Sequence, residues 1–217
     1  MKLRSPQFRK YVRKFLLTEL CGPISPDIDD AIATAQLAHL GQTRRTGEAY
    51  LEHPKEVAKI VFNYYGDPIL CAAALMHDAL EDALEQGNVV SDEQMASMIA
   101  GSFGDAQQGD EVLRIIRKLT HEKNTPYTEY LISLSNDPAA LRIKLADMLH
   151  NLSEHPTPRQ FAKYRDALQA LGNFYEGLPP HISIPHWNAL QSSIHQNESA
   201  GRKRKILRQL VRELIKI

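Results

Sequence analysis

The chain has 217 residues, of which 43% are hydrophobic and 24% charged, enough apolar side chain to bury the core of about one domain to one and a half. Twenty-six Lys and Arg balance twenty-six Asp and Glu, so nothing global argues for a nucleic acid or a membrane as partner, and an anionic ligand must be captured locally. Cys21 and Cys71 form no CxxC or CxxH pattern, and neither a charged-then-apolar leader nor a run of about 18 apolar residues appears, which reads as a reduced, cytoplasmic protein.

Apolar residues recur at helical spacing along most of the chain, as at Ile28, Ile32, Ala35 and Ala38 and again at Val57, Ile60, Val61 and Tyr64, while period-two strands are absent. Pro26-Asp27 opens the first helix and Gly41 closes it, followed by an irregular stretch from Gln42 to Tyr50. Gly66-Asp67-Pro68 starts a helix predicted to run through CAAALMHDALED at 71–82, and Ser91-Asp92-Glu93 caps the next after an irregular stretch from Glu85 to Val90. Asn136-Asp137-Pro138 starts a helix holding LRIKLADMLHNL, Pro156 to Pro158 is irregular, and Gly177-Leu-Pro-Pro-His interrupts the last helices. The pattern predicts an all-α bundle of about ten helices, all short, with no repeat period. The chain reads as a single domain over 1–217, with a motif-bearing core at 28–154 and a C-terminal helical extension at 155–217.

The 71–82 stretch is apolar until His77 and then carries Asp78, Glu81 and Asp82, which is costly to bury unless something pairs with the charges. A His-Asp dipeptide alone carries little weight, but His53 lies twenty-four residues upstream in a Y-x-x-H-P turn, and Asp147 sits in K-L-A-D-x-L-H-N with Lys144 and Asn151. Two imidazoles and two carboxylates form a metal set suited to Mn²⁺, Fe²⁺ or Zn²⁺, with positions left for water or a phosphate oxygen. On a continuous helix, His77 with Glu81 and Asp78 with Asp82 would each share a face.

These residues, in this order, resemble the HD phosphohydrolase superfamily, and AHLGQTRRTGEAYLEHP at 38–54 with HDALED at 77–82 resembles the hydrolase domain of RelA/SpoT homologues, including the stand-alone small alarmone hydrolases. The likeness runs from about Ile28 to Asn151. It implies an HD-type helical bundle, one Mn²⁺ held by His53, His77, Asp78 and Asp147, and Glu81 and Asp82 as the acidic pair that activates or positions the attacking water. It further implies Arg44 stacking on guanine, Arg45 and Lys144 approaching the phosphates, and Asn151 contacting the sugar or a phosphate. The implied reaction removes the 3′-pyrophosphate of (p)ppGpp to give GTP or GDP.

The family pattern is not matched throughout. Where basic and hydroxyl residues continue the last motif in the alarmone hydrolases, this chain has Met148, Ser153 and Glu154, so that two positive charges are missing and one negative is gained. Those changes favour a rival in which the same centre serves another nucleotide or dinucleotide phosphate. A non-catalytic nucleotide sensor or antitoxin-like protein would be expected to lack Glu81 or Asp82, and both are present. The sixty-six residues after Asn151 are too few for a synthetase domain, so alarmone synthesis is not expected. His39 reads as a hydrogen-bonded core histidine rather than a ligand. Arg202-Lys203-Arg204-Lys205 with Ile206, Leu207, Leu210, Val211, Leu214 and Ile215 reads as a basic amphipathic helix that packs on the bundle or on a second subunit of a homodimer.

Overall fold

The computed structural model describes residues 26–215 apart from positions 46, 86, 90 and 123. Cys21 and the side chains from Arg208 onward, which include Leu210, Val211, Leu214 and Ile215, lie outside the described residues. Ten α-helices and one 3-10 turn are described: α1 (Pro26–Ala38), α2 (Glu52–Tyr65), α3 (Pro68–Leu75), α4 (Ala79–Glu85), α5 (Asp92–Ala100), α6 (Ala106–Leu119), α7 (Tyr127–Ser133) leading into the turn Leu134–Asn136, α8 (Pro138–Ser153), α9 (Pro158–Phe174) and α10 (Ile184–Ile215). Among the described residues extended backbone pairs only in one isolated bridge, between Thr43 and Ala49, so the all-α expectation holds.

Side-chain caps fix many of the boundaries. Asp67 accepts from the Ile69 and Leu70 amides at 2.9 and 3.1 Å with Pro68 in the first turn of α3, Ser91 caps α5, and Thr157 caps α9. At the other end of α2, Gly66 takes the left-handed conformation (φ 62°) and returns its amide to the Phe62 carbonyl. α3 is buried from Leu70 to Leu75, and α2 packs on both α3 and α8. α10 packs on α8 and α9 on α7. The two helices that bear or adjoin the acidic motifs are therefore interior elements, where unpaired charge is expensive.

Two sequence expectations are corrected. The helix predicted through 71–82 breaks: α3 ends at Leu75, Met76 turns (φ −114°, ψ 13°), and α4 begins at Ala79. The His77 ring nitrogen Nδ1 takes the Ala74 carbonyl at 2.8 Å, so a side chain occupies an acceptor that a continuing helix would have used. His77 and Asp78 consequently sit on a corner, and the shared helical face expected for His77 and Glu81 is not formed. The helices are not all short either, since α10 runs for 32 residues. No proline follows Pro185 to stop it, and Gly201 is tolerated in its interior at modest cost. On α10, Ile206 and Leu207 are 59% and 61% exposed, so at these two positions the stripe does not pack on the bundle.

α8 is anchored by Asp137, which accepts from the Ala140 amide at 3.1 Å and pairs with Arg114 of α6. Burial pushes the Asp137 carboxyl up, but the Arg114 guanidinium and the α8 amides outweigh it and hold the group below its usual range. A carboxyl with a lowered folded pKa contributes stability that is present above its unfolded value, about 3.9, and lost as pH falls through the folded value. Asp137→Ala is expected to cost about 1–2 kcal/mol at pH 7. The gap from wild type should narrow below about pH 4, as urea melts over a pH series would measure.

Candidate metal centre

His53 enters the first turn of α2 ahead of Pro54, whose missing amide is no loss there. It is 2% exposed. Its Nδ1 lies 2.8 Å from Nδ1 of His150, a buried residue of α8, and its Nε2 lies 3.1 Å from Asp147 Oδ1 and 3.9 Å from Asp78 Oδ2. His77 presents Nε2 from the corner between α3 and α4, at 3.1 Å from Asp78 Oδ2 and 3.9 Å from Asp147 Oδ1. Three elements distant in the chain thus bring His53, His77, Asp78 and Asp147 together. Candidate donor atoms of His53, His77 and Asp147 all lie within 4.8 Å of one another, a cluster that could hold an ion.

The donor set fits a cation. With Nδ1–H donating to the Ala74 carbonyl, neutral His77 leaves Nε2 as a bare lone pair, and that buried atom makes no hydrogen bond despite the nearby carboxylates. Lone pair facing carboxylate is repulsive unless a proton or a metal stands between them. Burial lowers the affinity of His77 for a proton, but the Asp78 carboxylate outweighs it and lifts the group to about 9, which is the same demand for positive charge expressed through a proton. Asp147 is likewise held well below the carboxylate range: burial opposes ionisation, and Lys144 and His53 overcome it.

Around these four stand groups that orient them. Tyr50 donates its hydroxyl to Asp78 Oδ2 at 2.6 Å, Lys144 pairs with Asp147 Oδ2 at 2.9 Å, and the Asn151 amide donates to Asp147 Oδ1 at 2.5 Å. Lys144, expected to approach phosphates, is thus occupied by Asp147. Asp82 accepts from the Gln42 amide at 3.0 Å and lies 3.4 Å from His39 Nδ1, while His39 bonds Gln42 and sets its ring against Tyr50 at a tilt of 35°. His39 is buried beside the four residues rather than among them, as its reading as a core histidine requires. Glu81, in the first turn of α4, accepts from the His121 amide at 2.8 Å. Its carboxyl is raised by partial burial, which the amide offsets in part and the Asp78 charge reinforces.

A cavity of about 350 Å³ opens over the cluster, lined by Thr43, Arg44, Arg45, Tyr50, His53, Asp78, Asp147, Asn151, Gln160 and Tyr164. Arg44 and Arg45 both line it, and both are tied to the end of α8: Arg44 pairs with Glu154 at 2.5 Å and donates to Asn151 at 3.3 Å, and Arg45 donates to the His155 carbonyl at 2.9 Å. His155 holds a left-handed backbone (φ 55°) just past the helix. Sequence reasoning missed Gln160 and Tyr164, which α9 adds to the lining, and Lys163 behind them, whose ammonium rests on the Tyr164 ring. Asn151 and Gln160 both donate to the Tyr164 hydroxyl at 3.4 Å. A Gln, a Lys and a Tyr at positions i, i+3 and i+4 were the available signal, but that pattern is common on solvated helices.

The HD-domain family profile matches residues 31–175, two thirds of the chain and inclusive of α9. The chain belongs to the HD-domain family. It is 27% identical over 169 residues to the GTP pyrophosphokinase rsh of Brucella melitensis, a match taking in 74% of this chain and 22% of that protein. The GTP pyrophosphokinase rsh of Brucella suis is 28% identical over 150 residues, 65% of this chain and 19% of its own. The GTP pyrophosphokinase of Streptomyces coelicolor is 31% identical over 135 residues, 58% of this chain and 14% of its own. The match to these relatives thus spans about a fifth of their length or less, and this HD domain resembles the hydrolase domain of RelA/SpoT homologues.

If the cluster is a metal centre, saturating divalent ion should stabilise the fold by roughly 3–4 kcal/mol at 100 to 1,000 times its Kd. That corresponds to a rise of about 5–15 °C in Tm for a protein of this size. His77→Ala and Asp147→Ala should lose both the ion, by elemental analysis, and the Tm response. Unchanged metal content in both variants would refute the assignment.

Proposed function

We propose that this HD domain is a Mn²⁺-dependent phosphohydrolase that removes the 3′-pyrophosphate of (p)ppGpp, with Fe²⁺ or Zn²⁺ as alternative ions. The observation that carries the reading is the convergence of two imidazole nitrogens and two carboxylates, with only Lys144 as a paired cation, beneath a cavity with arginine, asparagine and tyrosine walls. The likeness to GTP pyrophosphokinases, whose name denotes pyrophosphate chemistry on a guanine nucleotide, supports the substrate. A divalent ion held by His53, His77, Asp78 and Asp147 would strengthen a water as nucleophile near neutral pH and offset charge on the phosphoryl oxygens.

The chain's own residues do the rest. Lys144 and Asn151 hold Asp147, and Tyr50 holds Asp78, so the acids are aimed before substrate arrives. Glu81 accepts the proton of the attacking water. Its carboxyl, raised by partial burial and the Asp78 charge, is held by the His121 amide, and Asp82, held by the Gln42 amide, is its partner acid and positions the loop. As water oxygen bonds to the phosphorus attached at O3′, the bond from O3′ to phosphorus breaks, the 3′-oxygen takes a proton, and pyrophosphate leaves without a covalent enzyme intermediate. Arg44 and Asn151 meet the nucleoside end, and Arg45 faces the phosphates.

A second reading keeps the centre and changes the nucleotide. It is favoured by Glu154, whose ion pair with Arg44 neutralises a cation on the wall where an alarmone hydrolase would offer basic residues. Turnover of (p)ppGpp with added Mn²⁺ and with chelator tests the first reading. Metal-dependent release of pyrophosphate, with GTP or GDP, is expected. Orthophosphate without pyrophosphate, or turnover of other nucleotides alone, would favour the second, and tight binding without turnover would favour a sensor.

Glu81→Gln should still bind Mn²⁺ and nucleotide but lose about 10² to 10⁴ in kcat, the usual contribution of a positioned acid–base group. Single-turnover rates alongside metal stoichiometry check this. Retention of more than about a tenth of the wild-type kcat would pass the role to Asp82.

A further inference from the structure

An anion entering the cavity needs cations, and those named from the motifs are largely spoken for. Lys144 is paired with Asp147, Arg44 with Glu154, and Arg45 gives a nitrogen to a backbone carbonyl. Lys163 on α9 differs. Among the described residues it has no carboxylate within ion-pair distance, and its Nζ rests over two rings, 4.3 Å from the Tyr127 centroid and 4.9 Å from that of Tyr164. Tyr164 is a wall of the cavity and reaches Asn151 through its hydroxyl.

Lys163 is not part of the cavity lining but stands directly behind it, its ammonium resting on the ring of Tyr164, which is. Burial weakens its hold on the proton, Lys144 weakens it further, and Asp147 and Glu81 strengthen it. Lys144 and Asp147 belong to the metal cluster and its support, and Glu81 to the reacting end. Ring faces meet the charge of an ammonium without neutralising it as a carboxylate would, so the cation keeps charge and donor capacity for an anion.

We propose that Lys163 is a substrate-binding residue whose ammonium engages a phosphate of the bound nucleotide, supplying from α9 positive charge that the α8 motif lacks at Met148 and Ser153. This deepens the reading of the cavity as a nucleotide phosphohydrolase site and rests on it. Such a cation contributes to ground state and transition state alike, so its loss should be read in KM more than in kcat.

The test uses the full chain loaded with Mn²⁺ and two readouts, KM and kcat for (p)ppGpp and the Kd of inorganic pyrophosphate by calorimetry. Lys163→Met keeps the stem that packs on the rings and removes the charge. It should weaken pyrophosphate binding about tenfold or more and raise KM by a similar factor, with kcat nearly unchanged. Lys163→Arg should restore both, which a packing role would not require, and Lys163→Gln replaces the Met variant should that one melt below wild type. Wild-type pyrophosphate affinity in the charge-free variant, or no pyrophosphate binding by wild type, overturns the assignment. If (p)ppGpp is not turned over but pyrophosphate affinity still falls in the variant, the alarmone reading fails and the role of Lys163 stands.

Discussion

The governing constraint is a deficit of positive charge inside the bundle. Asp78 and Asp147 face His53 and His77 across gaps of 3.1 to 3.9 Å, and each imidazole has spent its other nitrogen, on His150 in one case and on the Ala74 carbonyl in the other. Carboxylates are stable there only while a cation shares the space. The surrounding architecture answers to that requirement. α3 stops so that His77 and Asp78 can project from a corner, α2 begins at the residue before His53, and α8 passes Asp147 through the interior with Lys144 on one oxygen and Asn151 on the other.

Orientation of the four residues is shared among the groups around them. Tyr50, Lys144, Asn151 and His150 each fix one acid or imidazole, while Gln42 ties the 42–50 loop to Asp82. Because the loop is also bound to Glu154 and to the His155 carbonyl, the floor and the rim of the cavity are parts of one hydrogen-bonded body. The acids are therefore aimed by the protein's own groups, which is the condition for electrostatic stabilisation without reorganisation.

Much of this was legible in the sequence because it is written locally or in separated signatures. The caps at Asp67, Ser91 and Asp137 obey short-range chemistry, and His53, His77, Asp78 and Asp147 announce themselves by type and order. The break after Leu75 was not legible, since apolar periodicity cannot register that a histidine ring takes a carbonyl of its own helix. Nor was the pairing of Arg44 with Glu154, residues 110 positions apart whose meeting depends on how the loop lies on α8. The wall on α9 escaped for the same reason. Gln160, Lys163 and Tyr164 look like an ordinary solvated helix until α9 is placed beside Asn151.

The pair between Arg44 and Glu154 also bears on how a ligand arrives. A chain with zero net charge has little field far from its surface, and here a guanidinium at the cavity mouth already has its field lines closed on a carboxylate 2.5 Å away. A polyphosphate in solution is therefore not drawn from a distance, and its encounter lacks the steering that lifts association above about 10⁵–10⁶ M⁻¹s⁻¹. Association should vary little with ionic strength, since screening has scarcely any long-range attraction to remove. Discrimination among anions then begins only after entry, at contact distance, where the shape of an anion counts for more than its total charge.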